Sequence, residues 1–210
     1  LQVAVDDAGV VHGLQAFRDL RRMLQYLQWQ HSRHSGKRWL LKTPSLFGME
    51  EMFAQAFPGM DFIVAHRHPV EIVASACALC CGVRQLYYET DMTAQAGPMV
   101  LFNAGEIAKD HLHWRERYPA DKVLDVRFDD VTGDEIALLD RIFAALGMRL
   151  DETAKRRVRA WIAMDAQREH RRTTAALADY SLTPAMIEER LAGYLQRYAA
   201  FLQPAAKASA

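Results

Sequence analysis

Arg67 and Ser75 are the two residues of this chain whose types and spacing most directly indicate binding of an anion. Arg67 follows a continuous apolar run over residues 62–65, and Pro69 suits the first turn of a helix because its fixed φ is helical. Ser75 then falls about 9 Å further along that helix. A ligand that contacts both side chains must lie along the helix flank, which favours a nucleotide phosphate over a free ion.

The elements that position these residues alternate as in an α/β fold. Residues 62–65 predict a buried parallel strand covered on both faces, because the run has no polar alternation. Before it, the apolar spacing predicts a helix from residue 14 to near Gly36, a strand at residues 39–41 and a helix over residues 49–57. Arg67 therefore falls past the carboxyl end of a strand, where open α/β sheets bind their ligands.

The later elements continue the same pattern. Residues 80–98 lack a clean period, and we interpret them as a loop on the substrate side. A helix follows over residues 99–118, a strand over residues 122–128, and an apolar helix over residues 136–146 that is closed by Gly147. The last third is helical apart from one basic loop. We predict a single domain over residues 1–203 and a disordered tail over residues 204–210.

The amino-acid composition limits the classes of function that this chain can have. The chain has 210 residues, 50% of them hydrophobic and 25% charged, which is enough for one sizeable core. Its 26 Lys and Arg balance 26 Asp and Glu, so no global field directs it to nucleic acid or to an anionic membrane. No apolar run is long enough to predict an integral membrane segment.

The three cysteines all lie within residues 77–81, which argues against a disulfide framework and for a reducing, cytoplasmic compartment. With His66 or His68 they would supply four zinc ligands. Thiols at i, i+3 and i+4 on an apolar helix favour core packing instead, so no metal is implied.

Three segments resemble the sulfotransferases that use 3′-phosphoadenosine 5′-phosphosulfate (PAPS). Arg67 and Ser75, eight residues apart, are similar to the element of that family that binds the 3′-phosphate. The segment RWLLKTP at residues 38–44 resembles the family's strand and Lys-x-Pro turn, and DVRFDDV at residues 125–131 resembles a strand before a late helix. The likeness is closest to the bacterial-type branch and extends over about residues 26–201.

The resemblance implies a P-loop-like three-layer α/β domain, with a parallel sheet flanked by helices and a helical carboxyl-terminal third. It implies transfer of a sulfuryl group from PAPS to a hydroxyl or amine of a small-molecule or lipid-like acceptor. Lys42 would stabilise the leaving phosphate, and Arg67 and Ser75 would bind the 3′-phosphate. Arg168 and Arg171 belong to a basic loop that would fold over the same phosphate. A homodimer is an open alternative, and nucleic acid is not an expected partner.

The general base is the least defined part of this assignment. His66 is the candidate that we select, and His68 also flanks Arg67. Family members commonly carry a histidine soon after the Lys-x-Pro turn, where this chain has Leu46. Glu50 and Glu51 are further candidates on the following helix.

Two features leave other interpretations open. The family's glycine-rich loop, which wraps the 5′-phosphosulfate, has no counterpart near Gly9 or Gly13, so we expect the sequence to be the carboxyl-terminal portion of a longer protein. The alternatives are a non-catalytic nucleotide-binding or scaffolding relative, and a nucleotide kinase relative that would need an upstream Gly-Lys-Ser/Thr loop and magnesium. Arg67 also has a simpler possible partner, Glu71, one helical turn away.

Overall fold

The computed structural model describes residues 7–31, 36–42, 46–87, 93–165 and 176–202, with only the backbone of residues 7–12 and 132. These residues form two compact units. One comprises the described parts of Leu1–Met60 and Glu106–Lys122, and the other comprises those of Asp61–Gly105 and Val123–Ala210.

The described elements alternate helices with two short strands. In chain order they are α1 (Asp7–Gln30), α2 (Glu50–Ala56), β1 (Phe62–His66), α3 (Pro69–Gln85), α4 (Thr93–Arg117), β2 (Val123–Arg127), α5 (Asp130–Gly133), α6 (Glu135–Ala145), α7 (Glu152–Asp165), α8 (Pro184–Arg190), α9 (Ala192–Arg197) and α10 (Ala199–Leu202). Short 3-10 turns occur at Ala120–Lys122 and Leu177–Tyr180.

In the first unit, α1 packs against α2 through its apolar stripe. Leu24 and Phe53 are buried, and the ring of Phe17 meets that of Phe53 edge-on at 5.0 Å between centroids. Phe57 stacks on the Phe53 ring, with 4.7 Å between centroids. The inward residues of α1 recur at helical intervals, as the sequence predicted, and the opposite side of this helix is left facing outward.

In the second unit, β1 and β2 pair in parallel, with Phe62 opposite Val123 and His66 opposite Arg127. The strands at residues 62–65 and 122–128 are thus confirmed within a residue or two. Coverage of β1 on both faces is wrong for the described residues. The burial of its side chains alternates: Val64 is buried, whereas Ile63 and Ala65 on the other face are exposed.

Helix α3 begins where the sequence predicted, with Pro69 in its first turn. His68 caps the helix, since its ring nitrogen Nδ1 accepts a hydrogen bond of 3.4 Å from the amide of Val70. Pro69 loses nothing by lacking an amide hydrogen there, because the first amides of a helix have no intrahelical acceptor. The strand, the cap and the helix together fix the position of Arg67 between them.

The loop predicted over residues 80–98 is wrong over most of its length. Helix α3 continues to Gln85, and α4 already begins at Thr93 and passes through Gly97 and Pro98. A side chain at position 97 would collide with the carbonyl oxygen of Tyr180. Glycine is therefore required for this close approach, and tertiary packing overrides the turn signal of the Gly-Pro pair.

Two predictions for the first unit also differ from the structure. Residues 37–42 have no regular secondary structure, so the strand predicted at residues 39–41 is absent from the part of the chain described. Helix α1 ends at Gln30 rather than near Gly36. Lys37 lies beside the last turn of α1, because its carbonyl accepts a hydrogen bond of 3.3 Å from the Gln28 side chain.

Candidate functional site

Arg67 lies at the carboxyl end of β1, immediately before α3, with its side chain about one third exposed. Its Nε donates a hydrogen bond of 2.7 Å to Oε2 of Glu71. The guanidinium carbon is 4.8 Å from the centroid of the Phe128 ring, a cation–π arrangement. Phe128 follows β2, and its amide donates to the His66 carbonyl at 2.9 Å. The strand pairing therefore places this ring beside Arg67.

These contacts orient the guanidinium but use only one of its five N–H groups. Among the described residues, Nη1 and Nη2 of Arg67 have no hydrogen-bond partner. The four remaining donors form the planar pair of nitrogens that suits bidentate binding of a phosphate. The ion pair with Glu71, the simpler role considered for Arg67, is present and coexists with this capacity.

Ser75 is exposed on α3, four residues after Glu71. Because four residues make slightly more than one helical turn, Glu71 and Ser75 lie on the same side of the helix, and Glu71 reaches back to Arg67. The structure thus brings Arg67 and Ser75 to one exposed flank of α3. This flank begins at the amino-terminal end of a 17-residue helix, where the helix dipole favours a negative charge.

His66, selected above as the general base, is fully buried. Its Nδ1 lies 2.7 Å from the Tyr194 hydroxyl and its Nε2 lies 2.8 Å from Oδ1 of Asp125. Its ring also stacks on Tyr198, with centroids 4.0 Å apart. Both ring nitrogens are engaged, so His66 would have to break two hydrogen bonds before it could accept a proton from a substrate. We therefore propose a structural role for His66.

The direction of the hydrogen bonds in this network follows from Tyr194. Burial, then the charges of Tyr198 and Asp125, raises the pKa of the Tyr194 hydroxyl well above its usual value, so it keeps its proton. The neutral hydroxyl can then donate to Nδ1 of His66, which leaves Nε2–H to donate to Asp125. The network ties the end of β1 to β2 and α9, and so supports the backbone from which Arg67 projects.

Lys42 belongs to the other unit and is exposed. It ends the irregular segment 37–42, and residues 43–45 of the Lys-x-Pro turn lie outside the described residues. Its predicted role at the leaving phosphate stays a prediction. Arg168 and Arg171 also lie outside the described residues, so their predicted contact with the 3′-phosphate likewise stays a prediction.

Sequence reasoning missed a buried hydrogen bond between Glu50 and His111 in the first unit, next to the turn at residues 46–48. Oε1 of Glu50 lies 2.7 Å from Nδ1 of His111, and both side chains are almost fully buried. Oε2 of Glu50 accepts a hydrogen bond of 2.7 Å from the amide of Gly48, whose φ of +87° suits glycine. Phe47 stacks on the His111 ring at 4.3 Å. The sequence feature that could have predicted the burial of His111 is its position three residues before Trp114, on the apolar side of α4.

These contacts change the interpretation of Glu50 and Glu51 as candidate bases. Glu50 is hydrogen-bonded to His111 and to Gly48 within the first unit. Glu51 is exposed and pairs with Arg117 at 2.9 Å. Neither residue shows the combination of exposure and an activated environment that a general base needs.

The three cysteines differ in burial along α3, with Cys80 partly exposed. Cys77 and Cys81 are buried in α3, and no cluster of metal ligands occurs among the described residues. Burial, followed by the charges of Cys81 and Cys80, raises the pKa of the Cys77 thiol from 9.0 to about 11. Cys77 is therefore a thiol, and not a reactive thiolate, at neutral pH.

This burial predicts selective alkylation. In the folded protein, iodoacetamide is expected to modify the partly exposed Cys80 and to leave Cys77 intact, as measured by peptide mass spectrometry. The folded state holds the Cys77 proton more tightly than the unfolded state. Its contribution to stability is therefore complete below pH 9 and is lost as the pH rises towards 11. Equal labelling of Cys77 and Cys80 at pH 8 would contradict this account.

Two parallel strands that carry an arginine and a helix amino terminus at their carboxyl edge place this chain in the α/β class. A family model described as the sulfotransferase family matches residues 8–152. The chain therefore belongs to the sulfotransferase family. No curated protein matches the chain.

Two solved structures share the fold. Sulfotransferase STF9 from Mycobacterium avium is 24% identical with a TM-score of 0.69, covering 76% of this chain and 41% of that one. Sulfotransferase STF1 from Mycobacterium tuberculosis H37Rv is 28% identical with a TM-score of 0.59, covering 75% of this chain and 40% of that one. This chain thus spans about two fifths of the length of each.

Proposed function

We propose that this chain carries the 3′-phosphate-binding part of a PAPS-dependent sulfotransferase. The observation that carries the proposal is the orientation of Arg67 at the carboxyl edge of the sheet, with four guanidinium donors available and Ser75 on the same flank of α3. Membership of the sulfotransferase family supplies the reaction class. The donor PAPS and the acceptor, a hydroxyl or amine of a small or lipid-like molecule, are part of the proposal.

The proposed reaction places separate demands on the protein. The acceptor oxygen or nitrogen attacks sulfur, the bond from sulfur to the 5′-phosphate oxygen breaks, and 3′-phosphoadenosine 5′-phosphate leaves. Negative charge develops on that bridging oxygen, and a cation beside it lowers the barrier. We propose that the ammonium of Lys42 supplies this charge. The acceptor also loses a proton, and we assign no residue of this chain to accept it.

In this proposal Glu71 has a defined part in nucleotide binding. A phosphate that engages Arg67 meets the carboxylate of Glu71 on the same guanidinium. The exposed ion pair between Arg67 and Glu71 contributes only about 0.3–0.5 kcal/mol to stability. A bidentate contact with a phosphate forms charge-assisted hydrogen bonds at both nitrogens, and these are stronger. We therefore expect the phosphate either to displace the carboxylate of Glu71 from the guanidinium of Arg67 or to bind beside it.

The proposal is tested by isothermal titration of the intact protein with 3′-phosphoadenosine 5′-phosphate. The matched ligand is adenosine 5′-phosphate, which differs only by the missing 3′-phosphate. We expect tighter binding of the bisphosphate, because Arg67 and Ser75 contact the additional group. Equal affinity for the two nucleotides, or no binding of either, would overturn the assignment.

A further inference from the structure

The residue before Arg67 is held in place by the carboxyl-terminal helices of the same unit. His66 is fully buried, and the hydroxyl of Tyr194 in α9 lies 2.7 Å from its Nδ1. The ring of Tyr198, which follows α9, stacks on the imidazole at 4.0 Å, and the ring of Phe201 in α10 lies 5.2 Å from it, both between centroids. Three rings from the end of the described chain therefore pack on the residue that precedes the proposed phosphate ligand.

Two routes connect His66 to the guanidinium of Arg67. The first is the backbone, because the two residues are adjacent at the end of β1. The second passes through the residue after β2. The His66 carbonyl accepts a hydrogen bond of 2.9 Å from the Phe128 amide, and the centroid of the Phe128 ring lies 4.8 Å from the guanidinium carbon. A displacement of His66 would therefore move Arg67 and the ring beside it together.

The hydroxyl of Tyr194 determines which nitrogen of the His66 ring carries the proton. Burial raises the pKa of this hydroxyl, so it keeps its proton and donates to Nδ1. The ring then carries its own proton on Nε2, which donates to Oδ1 of Asp125 at 2.8 Å. Loss of the hydroxyl would leave Nδ1 without this donor in a buried site, which favours a shift of the imidazole towards another partner.

We propose that Tyr194 is a positioning residue for binding of the 3′-phosphate. Acting through His66, its hydroxyl holds the end of β1 where Arg67 presents its donors to the nucleotide. This inference rests on the proposed function, because it concerns the same phosphate site. The effect is reciprocal by thermodynamic linkage: since docking of α9 favours nucleotide binding, nucleotide binding stabilises the docked α9.

The test is isothermal titration of Tyr194→Phe with 3′-phosphoadenosine 5′-phosphate and with adenosine 5′-phosphate. Phenylalanine keeps the ring and removes only the hydroxyl, so this variant is expected to fold. We expect affinity for the bisphosphate to fall by about threefold to tenfold, as for loss of one hydrogen bond, and affinity for the monophosphate to change little. Asp125→Asn keeps an oxygen acceptor for Nε2 and should bind more tightly than Asp125→Ala.

The matched control is Tyr118→Phe. The Tyr118 hydroxyl donates a hydrogen bond of similar length, 2.8 Å, to the Met60 carbonyl, but both residues belong to the first unit. Loss of this hydrogen bond should also lower stability in urea, while affinity for the bisphosphate stays that of the unchanged protein. The comparison separates positioning of Arg67 from a general loss of stability.

Hydrogen exchange of residues 192–202 measures the reciprocal effect. A saturating amount of the bisphosphate is expected to slow exchange of these amides, and a saturating amount of the monophosphate is not. Equal exchange with the two nucleotides would overturn the inference. So would normal bisphosphate affinity in Tyr194→Phe, or an equal loss for both nucleotides, and the proposed function would then still stand. If the unchanged protein bound both nucleotides equally, the proposed function would be wrong, and this inference with it.

Discussion

Replacement of Arg67 by alanine is expected to weaken binding of 3′-phosphoadenosine 5′-phosphate by about tenfold to about a hundredfold. The guanidinium is oriented by Glu71 and Phe128, so its free donors meet a phosphate with little loss of side-chain freedom. A hydrogen bond to a charged group contributes about 1.5–3 kcal/mol, which sets this range. Affinity for adenosine 5′-phosphate, measured in the same titrations, should change little.

Three variants identify the cause of that loss. Arg67→Lys keeps the charge but not the planar pair of donors, so its affinity should be intermediate. Glu71→Gln keeps an acceptor for Nε of Arg67 but removes the negative charge that repels a phosphate, so this variant should bind the bisphosphate several-fold more tightly. Arg141→Ala removes another exposed, ion-paired arginine, which contacts Asp130 at 3.0 Å, and should have no effect. If Arg67→Ala weakened both nucleotides equally, the 3′-phosphate assignment would be wrong.

Replacement of His111 by alanine is expected to lower the free energy of unfolding by about 3–5 kcal/mol, as measured by urea denaturation. The side chain of Glu50 is only 5% exposed and would keep the Gly48 amide as a partner while losing the imidazole. The stacked contact with Phe47 would also be lost. Most of the effect comes from leaving the buried Glu50 side chain without its hydrogen-bond partner and from the space that the imidazole vacates.

The neighbouring Glu51 provides the control for this prediction. Its ion pair with Arg117 is nearly as short, at 2.9 Å, but both side chains are about half exposed. Glu51→Gln should therefore change stability by less than about 1 kcal/mol. The double variant Glu50→Gln with His111→Ala should be more stable than His111→Ala alone, because an unpaired amide is less costly to bury than an unpaired carboxyl group that can ionise. Strict additivity of the two changes would show that the pair is not coupled.

The elements around Arg67 were predictable because their signals are local. The apolar run of β1, Pro69 in the first turn of α3 and Gly147 after α6 each act within a few residues, and the structure places all three as expected. Glu71 and Ser75 are four residues apart on α3, so the side of the helix that they share was predictable as well.

The errors arise where distant segments determine the structure. In the sequence, Gly97 indicates a turn. In the structure, its lack of a side chain leaves room for the carbonyl of Tyr180, which lies 83 positions further along the chain. His66 seemed free to act as a base until its contacts with Asp125 and Tyr194 were known. A strand exists only where a neighbour pairs with it, and residues 39–41 have no such neighbour among the described residues. None of these partners can be identified from local pattern.

The most direct test of the account is whether the intact protein transfers a sulfuryl group to and from the nucleotide. With 3′-phosphoadenosine 5′-phosphate and p-nitrophenyl sulfate, reversal of the proposed reaction moves the sulfuryl group to the 5′-phosphate and releases nitrophenolate, which is followed by its absorbance. We predict release that requires the 3′-phosphate and falls by about a hundredfold or more in Lys42→Ala. Tight nucleotide binding with no more release than in that variant would contradict the account and indicate a nucleotide-binding relative without transferase activity.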